Sequence, residues 1–176
     1  MSPGPGGVPA ARPHGAREPL PDEVRRQLEA WRAAGERIVF TNGVFDLLHR
    51  GHAEYLAQAR ALGQRLVVGV NSDASVRRLK GVARPIVAAA DRAALLEALA
   101  CVDLAVVFEE DTPARLIEAV RPDVLVKGGD WAVEQIVGRE FVESHGGTVL
   151  SIPLREGYGT SALVERIRAG RSALEP

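Results

Sequence analysis

The stretch that decides the fold is RIVFTNGVFDLLHRGHAEYL, residues 37–56. It begins with a run of apolar and β-branched residues, passes through a polar turn and ends in a segment with helical spacing. This order predicts a buried strand, a loop and a helix. His49 and His52 stand three residues apart where the helix starts, so they share one of its faces. Gly51, between them, lets a ligand approach the backbone.

The rest of the chain repeats this alternation of strand and helix. Short apolar runs predict five strands, at residues 37–41, 65–70, 104–108, 124–127 and 148–152. Helical spacing predicts helices at residues 21–35, 51–62, 74–79, 91–100, 112–120, 133–145 and 160–169. Continuous apolar strands that alternate with helices indicate an α/β fold in which helices cover both faces of a parallel sheet. We expect a Rossmann-like three-layer sandwich with a five-stranded parallel sheet in the order 3-2-1-4-5.

The composition is typical of a soluble globular protein, with 46% hydrophobic and 26% charged residues and a net charge of −1. Because a net charge near zero creates no basic field around the protein, no nucleic-acid partner is expected. The chain starts without the apolar segment of a signal peptide and contains no apolar run long enough to span a membrane, so a cytoplasmic protein with no membrane partner is expected. Residues 1–20, rich in Pro, Gly and Ala, predict a disordered tail before a single domain at 21–176.

Polar residues gather directly after every predicted strand. The carboxyl ends of parallel strands meet at one edge of the sheet, where ligands bind near the point at which the strand order reverses. The polar segments therefore predict one composite site. They comprise residues 41–52, 71–73, 109–111, 127–130 and 155–161.

His49 and His52 favour a site for phosphate. The free N–H groups and the positive dipole end of a helix start lie beside the imidazoles, and this combination attracts anions. A metal site is the weaker interpretation, because no further Cys, His or carboxylate stands at a suitable spacing, and no direct metal ligand is predicted. An ordinary surface or packed pair is the third interpretation.

Other segments supply cations, glycines and hydroxyls. Lys80 precedes Gly81, where a mobile loop is expected to begin, so its side chain can close over polyphosphate. Lys127 ends the fourth strand, and the two glycines after it open space for a flat ligand. Thr160 and Ser161 stand where the last helix starts, so their hydroxyls and the backbone N–H groups can reach phosphate oxygens. Ordinary N-capping by one of them is the simpler alternative.

These residues predict chemistry at a phosphorus atom. No nucleophile paired with a base can be recognised, so phosphoryl or nucleotidyl transfer without a covalent intermediate fits best, by positioning and charge stabilisation. A polyphosphate substrate would bring Mg²⁺, held mainly by phosphate oxygens and water. The alternative from another class is a nucleotide-binding regulatory module without turnover.

The motifs resemble a known family. TNGVFDLLHRGH, residues 41–52, resembles the H-x-G-H signature of the nucleotidyltransferase superfamily that includes the cytidylyltransferases. REGYGTSALVERI, residues 155–167, resembles its second signature, and VNSDASVRRLKG, FEEDTPARLI and DVLVKGGDW lie between them in the same order. Over residues 37–168 the combination resembles the branch that adenylylates D-glycero-β-D-manno-heptose 1-phosphate.

The resemblance implies ATP and heptose 1-phosphate as substrates and ADP-heptose, for lipopolysaccharide core or another glycoside, as product. The implied catalytic residues are His49, His52 and Lys80. The implied nucleotide- and phosphate-binding residues are Thr41, Asn42, Gly43, Phe45, Gly51, Gly128, Gly129, Asp130, Arg155, Thr160 and Ser161. The implied substrate-binding residues are Asp46, Arg92 and Lys127. Alternatively, Asp46 is a turn or cap residue, and Arg92 forms a salt bridge at the surface.

The resemblance does not determine which nucleoside triphosphate or which phosphorylated acceptor the chain uses. A cytidylyltransferase for glycerol 3-phosphate or ethanolamine phosphate, or a GTP-using heptose-phosphate guanylyltransferase, would use the same chemistry. Gly159 stands where many relatives have a serine, which removes one hydroxyl from the expected phosphate site. Because only a short tail and one helix precede the domain, a separate kinase is expected to supply the sugar phosphate. A homodimer or homotetramer is expected.

Overall fold

A five-stranded parallel sheet forms the middle layer of the protein, in a computed structural model that describes residues 20–155 and 157–170. The strands are β1 (Ile38–Gly43), β2 (Arg65–Asn71), β3 (Leu104–Phe108), β4 (Val124–Gly128) and β5 (Thr148–Ile152). Their order across the sheet is β3-β2-β1-β4-β5, and every neighbouring pair is parallel. The predicted Rossmann-like fold and its strand order are confirmed.

Helices cover both faces of this sheet. They are α1 (Asp22–Ala33), α2 (Arg50–Arg60), α3 (Asp73–Lys80), α4 (Ala89–Glu97), α5 (Ala114–Val120), α6 (Arg139–Ser144) and α7 (Thr160–Arg168). Because successive strand residues point to opposite faces, β1 contributes Phe40 to one apolar core and Val39 to the other. Leu28 and Trp31 of α1 pack into the first core, and Leu56 of α2 packs into the second.

The prediction of one helix over residues 133–145 is wrong. The segment forms a 3-10 turn at Val133–Gln135 and then α6, with Gly138 between them. Gly138 has a φ of +88°, and a Cβ at this position would lie 2.7 Å from Cδ1 of Ile117. A left-handed residue cannot continue a right-handed helix, so the helix starts again after it.

The packed domain begins no later than Leu20, because this side chain is only 5% exposed and joins the core of Leu28 and Trp31. Apart from Leu20, the predicted tail lies outside the described residues. Among the helices described, none is both long and apolar enough to cross a lipid bilayer.

A crevice opens at the centre of the sheet. β1 pairs with β4 over only two residues, Val39 and Phe40, whereas it pairs with β2 along its whole length, from Ile38 to Gly43. The carboxyl ends of β1 and β4 therefore diverge where the strand order reverses. This is the place at which open α/β sheets bind their ligands.

Candidate active site

The two histidines predicted to bind phosphate lie side by side at the start of α2. His49 immediately precedes the helix, and its Nδ1 accepts a hydrogen bond from the backbone N–H of His52 at 3.3 Å. The two imidazole rings stack, with centroids 3.8 Å apart and planes 17° apart. Phe45 contacts the His52 ring edge-on, with centroids 5.2 Å apart. A stacked imidazole pair therefore accompanies the free N–H groups of the helix start.

Burial favours the neutral form of both imidazoles. The pKa of His52 is lowered to about 4, mainly by burial and next by the nearby His49, while the backbone of Leu47 opposes the shift. Burial also lowers the pKa of His49. Since Nδ1 of His49 is already a hydrogen-bond acceptor, we assign the proton of its neutral ring to Nε2. Nε2–H of His49 is therefore a donor for a ligand.

Gly51 lies in tight packing beside His49. A Cβ at Gly51 would lie 3.0 Å from Cβ of Tyr158 and 3.2 Å from the His49 ring. The rings of Tyr158 and His49 have centroids 6.0 Å apart. Beside them lies a cavity of about 470 Å³, the α7 cavity, whose walls include His49, Gly157, Tyr158, Gly159, Leu163 and Arg166. Small residues thus keep the space next to His49 open.

The start of α7 forms one wall of the α7 cavity. Gly159 occupies the capping position, so neither Thr160 nor Ser161 caps the helix and the simpler interpretation of these hydroxyls is wrong. Thr160 is half-buried and Ser161 is exposed. The first N–H groups of a helix have no partners within it, so α7 presents backbone donors at the same place. An anion is the ligand that this arrangement suits.

A second cavity, of about 480 Å³, lies at the crevice between β1 and β4. Lys80, the last residue of α3, and Lys127, on β4, both line it, and we call it the lysine cavity. Nζ of Lys127 lies 3.4 Å from Oδ1 of Asn42 and 5.8 Å from the ring centroid of the half-exposed Trp131. Burial lowers the pKa of Lys127. Gly43, Val44, Asn71, Leu79, Asp111, Thr112 and Ile136 also line this cavity.

Gly128, the last residue of β4, and Gly129, which follows it, are also positions that a larger residue fits poorly. A Cβ at Gly128 would lie 3.0 Å from the side chains of both Tyr55 and Leu154. Gly129 has a φ of +114°, a conformation that side chains rarely allow. The exposed Asp130 follows them at the surface.

Two residues predicted to contact ligands instead bind other parts of the protein. Thr41 is fully buried, and its hydroxyl pairs with that of Tyr55. The Asp46 carboxylate is also buried and accepts hydrogen bonds from the backbone N–H groups of Ile86 and Val87. The alternative of a turn or cap residue does not describe Asp46 either, because the backbone that it binds lies 40 and 41 residues away along the chain.

Arg92 is completely buried in α4, so the surface salt bridge considered for it is wrong. Its guanidinium donates hydrogen bonds to the carbonyls of Val44, Asn71 and Val87 and pairs with the carboxylate of Asp73. These donors are committed inside the protein rather than presented to a ligand.

Arg155 lies at the edge of the site. It pairs with Glu54 of α2 at 3.1 Å, and its guanidinium lies 5.7 Å from the ring centroid of Tyr158. Sequence reasoning missed both Tyr158 and Glu54. The available signal for Tyr158 was an aromatic residue between two glycines, directly before the predicted phosphate-binding helix. Glu54 gave no signal, because a carboxylate four residues after Arg50 is typical of any exposed helix face.

The site and fold agree with comparisons to known proteins. A model of the cytidylyltransferase-like family matches residues 40–168, and the chain therefore belongs to the cytidylyltransferase-like family. "Bifunctional protein HldE" of Geotalea uraniireducens is 54% identical over 149 residues, which are 85% of this chain and 30% of that protein. The protein of the same name from Pseudomonas aeruginosa is 60% identical over 147 residues, which are 84% of this chain and 31% of that protein.

A solved structure is also similar. The crystal structure of the lipopolysaccharide core biosynthesis protein from Thermoplasma volcanium shares 33% sequence identity and a TM-score of 0.56, covering 71% of this chain and all of that one. The chain spans less than a third of the length of the HldE proteins quoted above. Family and relatives together indicate a nucleotidyltransferase enzyme, which confirms the predicted class. Nucleotidyltransferases of this type generally use a divalent metal ion.

Proposed function

We propose that the chain transfers AMP from ATP to D-glycero-β-D-manno-heptose 1-phosphate, giving ADP-heptose and pyrophosphate. The observation that carries this proposal is the stacked histidine pair at the start of α2, with the α7 cavity beside it and the lysine cavity at the same edge of the sheet. The identity with HldE proteins and the likeness to a lipopolysaccharide core biosynthesis protein support the heptose as acceptor.

The proposed reaction needs hydrogen-bond donors that stabilise negative charge, and it needs no group that removes a proton. A phosphate oxygen of the sugar phosphate forms a bond to the α-phosphorus of ATP, and the bond from that phosphorus to the pyrophosphate oxygen breaks. Negative charge increases on the oxygens around the five-coordinate phosphorus, where the N–H groups of His49 and His52 stabilise it. The attacking oxygen is already ionised, so the site needs no general base.

The α7 cavity suits the triphosphate. Thr160, Ser161 and the N–H groups of α7 would hold the β- and γ-phosphates. Arg155 can join them by leaving Glu54, because ion pairs between exposed side chains are weak. Glu54 would keep its second partner, Arg50, at 2.6 Å. The leaving pyrophosphate would thus remain bound until the new bond has formed.

The lysine cavity suits the sugar phosphate. Lys80 and Lys127 offer two cations for the phosphate, and Trp131 offers an apolar surface for the sugar beside them. Asn42 fixes Nζ of Lys127 at the end of β1, next to the crevice. Residues 128–130, at the end of β4 and directly after it, would border the nucleoside.

We further propose Mg²⁺ as the divalent ion. Within residues 20–155 and 157–170, no three His, Cys, Asp or Glu side chains lie close enough to hold a metal ion by themselves. This agrees with an ion carried mainly by the phosphate oxygens of ATP and by water, where it neutralises part of the triphosphate charge. A separate kinase that supplies the sugar phosphate, a cytoplasmic location near the ATP supply and a homo-oligomeric state belong to the same proposal.

The test is pyrophosphate release with each of ATP, CTP and GTP against heptose 1-phosphate and glycerol 3-phosphate. We expect turnover with ATP and heptose 1-phosphate. Faster turnover with CTP and glycerol 3-phosphate, or with GTP and heptose phosphate, would replace the proposed substrates and keep the chemistry. Nucleotide binding without turnover in every pair would show a regulatory module and contradict the enzyme itself.

A further inference from the structure

We propose that Arg92 is a positioning residue, which fixes the loops around the lysine cavity and so sets the position of the sugar phosphate relative to the histidine pair. The substrate in this inference rests on the proposed function. The loop contacts do not depend on it.

Arg92 binds two strand ends just beyond the point where their pairing stops. The last paired residues of β1 and β2 are Gly43 and Val70. The next residues along the two strands are Val44 and Asn71, and the guanidinium donates a hydrogen bond to the carbonyl of each. Both residues line the lysine cavity. Arg92 therefore connects the two strand ends at the wall of this cavity, beyond the last pairing between β1 and β2, while Asn71 still pairs with Phe108 of β3.

The same guanidinium anchors the loop that follows Lys80. Its Nε donates to the carbonyl of Val87 at 2.8 Å. One carboxylate oxygen of Asp73 accepts both from Nη2 of Arg92 and from the backbone N–H of Ala89, each at 2.9 Å. The end of the loop and the start of α4 are thereby tied to the start of α3.

Asp46 adds a second anchor to this loop. Its Oδ1 accepts hydrogen bonds from the N–H groups of Ile86 and Val87 at 2.7 and 3.0 Å. The Arg84 guanidinium pairs with the other carboxylate oxygen of Asp46 at 2.9 Å, so Asp46 holds the loop from Arg84 onward. Only the first residues of the loop are open, since the Val82 side chain is 94% exposed. Lys80, the last residue of α3, adjoins this open part.

Stability alone does not explain a buried arginine at this position. Replacing a buried ion pair by apolar side chains of similar volume is often neutral or stabilising. A guanidinium, however, donates in fixed directions from a rigid plane, so it defines the positions of the groups that it binds. Arg92 binds three separate segments in this way, namely the end of β2 and the loops that contain Val44 and Val87. A substrate can be aligned with the reacting phosphorus only if the segments around it are held in fixed positions, and Arg92 holds them in this way.

The test uses Arg92→Lys, which keeps the charge and loses the planar fork. We expect KM for heptose 1-phosphate to rise about tenfold and kcat to fall about tenfold, because the walls of the lysine cavity shift. KM for ATP should change less than about twofold, because Arg92 contacts none of the residues that line the α7 cavity. Asp73→Asn should change the same constants in the same directions, and it replaces Arg92→Lys if that variant does not fold.

Arg65→Lys is the matched control. Arg65 also uses several donors, which bind Glu36 and Asp103, but it lies at the opposite edge of the sheet. This control should leave kcat and both KM values at their wild-type levels. The proposal is overturned if folded Arg92→Lys keeps the wild-type KM for heptose 1-phosphate, or if both of its KM values rise equally.

Failure of the proposed function is a separate outcome, because the wild-type chain would then form no ADP-heptose. In that case, amide hydrogen exchange tests whether Arg92 positions the loops around the lysine cavity. Faster exchange in Arg92→Lys that is confined to Ile86, Val87 and Ala89 supports the positioning role. Uniform acceleration across the sheet, or no acceleration, contradicts it.

Discussion

The two edges of the sheet differ in whether all of their cationic side chains are paired with carboxylates. At the amino ends of the strands, the Asp103 carboxylate pairs with Arg60 at 2.9 Å and with Arg65 at 3.0 Å. Arg65 also binds Glu36 through two hydrogen bonds, of 2.6 and 2.8 Å, which lower the pKa of that carboxyl group. Every charge in this group has an opposite charge beside it.

At the carboxyl ends, Arg84 and Arg92 pair with Asp46 and Asp73, but the two lysines that line the lysine cavity lack such partners. No carboxylate pairs with Lys80 or Lys127 within the part of the chain that the structure describes, and Lys127 has an amide oxygen and an aromatic ring as its neighbours. His49 and His52 stack on each other instead of binding a carboxylate. Arginines are thus paired with carboxylates at both edges, and lysines without counter-charges mark the cavity at the carboxyl edge that suits an anionic ligand.

The largest effect should come from His52→Ala, at the carboxyl edge. We expect kcat to fall about 10²- to 10³-fold with little change in KM for ATP, because the His52 donor acts on charge that develops in the transition state. Steady-state pyrophosphate release measures both constants. An unchanged kcat would remove His52 from the mechanism.

Lys80→Ala should have the next largest effect. The loss of a hydrogen bond to a charged phosphate lowers kcat/KM for the sugar phosphate by about 10- to 100-fold. Lys80→Arg, which keeps the positive charge, should recover part of this loss. If the alanine and arginine variants both match the wild type, Lys80 does not contact substrate and the lysine cavity loses one of its two cations.

The fold and the position of the two histidines at a helix start were predictable because their signals are local. The apolar run before His49 predicts β1, and the glycine between the histidines predicts the open start of α2. Such patterns concern neighbours in sequence, which are also neighbours in the structure. The one mistaken helix, over residues 133–145, contains a left-handed glycine that helical spacing does not reveal.

The roles of Asp46 and Arg92 were not predictable in this way. The Asp46 carboxylate binds backbone groups 40 and 41 residues away, and Arg92 binds carbonyls 48 and 21 residues away. Their partners are backbone atoms, which every residue type has, so no residue pattern indicates these contacts. A motif shows which polar residues matter, whereas only the fold shows whether they touch a ligand or other parts of the protein.

Asp103→Ala tests the amino edge. We expect the free energy of unfolding to fall by about 1–3 kcal/mol, because two arginines and the N–H of Leu66 lose an acceptor. Kinetic constants of the folded variant should match the wild type. Denaturant titration with kinetics on the same samples checks both statements. A large loss of kcat without a loss of stability would contradict the division of the two edges.

The smallest effect concerns protons at the carboxyl edge. The pKa of His52 is about 4 in the folded protein against 6.5 in an unfolded chain. The unfolded chain therefore binds a proton that the folded protein lacks between these values, and the contribution of His52 to stability, fully present above pH 6.5, is lost as the pH falls toward 4.

A bound triphosphate favours the imidazolium form of His52 and raises its pKa. ATP binding at about pH 5 should then take up a fraction of one proton more in wild type than in His52→Ala. Calorimetry in two buffers with different ionisation enthalpies measures this difference. Equal proton uptake by the two proteins would place His52 away from the phosphates, and the carboxyl edge would then owe its affinity for anions to the lysines and helix starts alone.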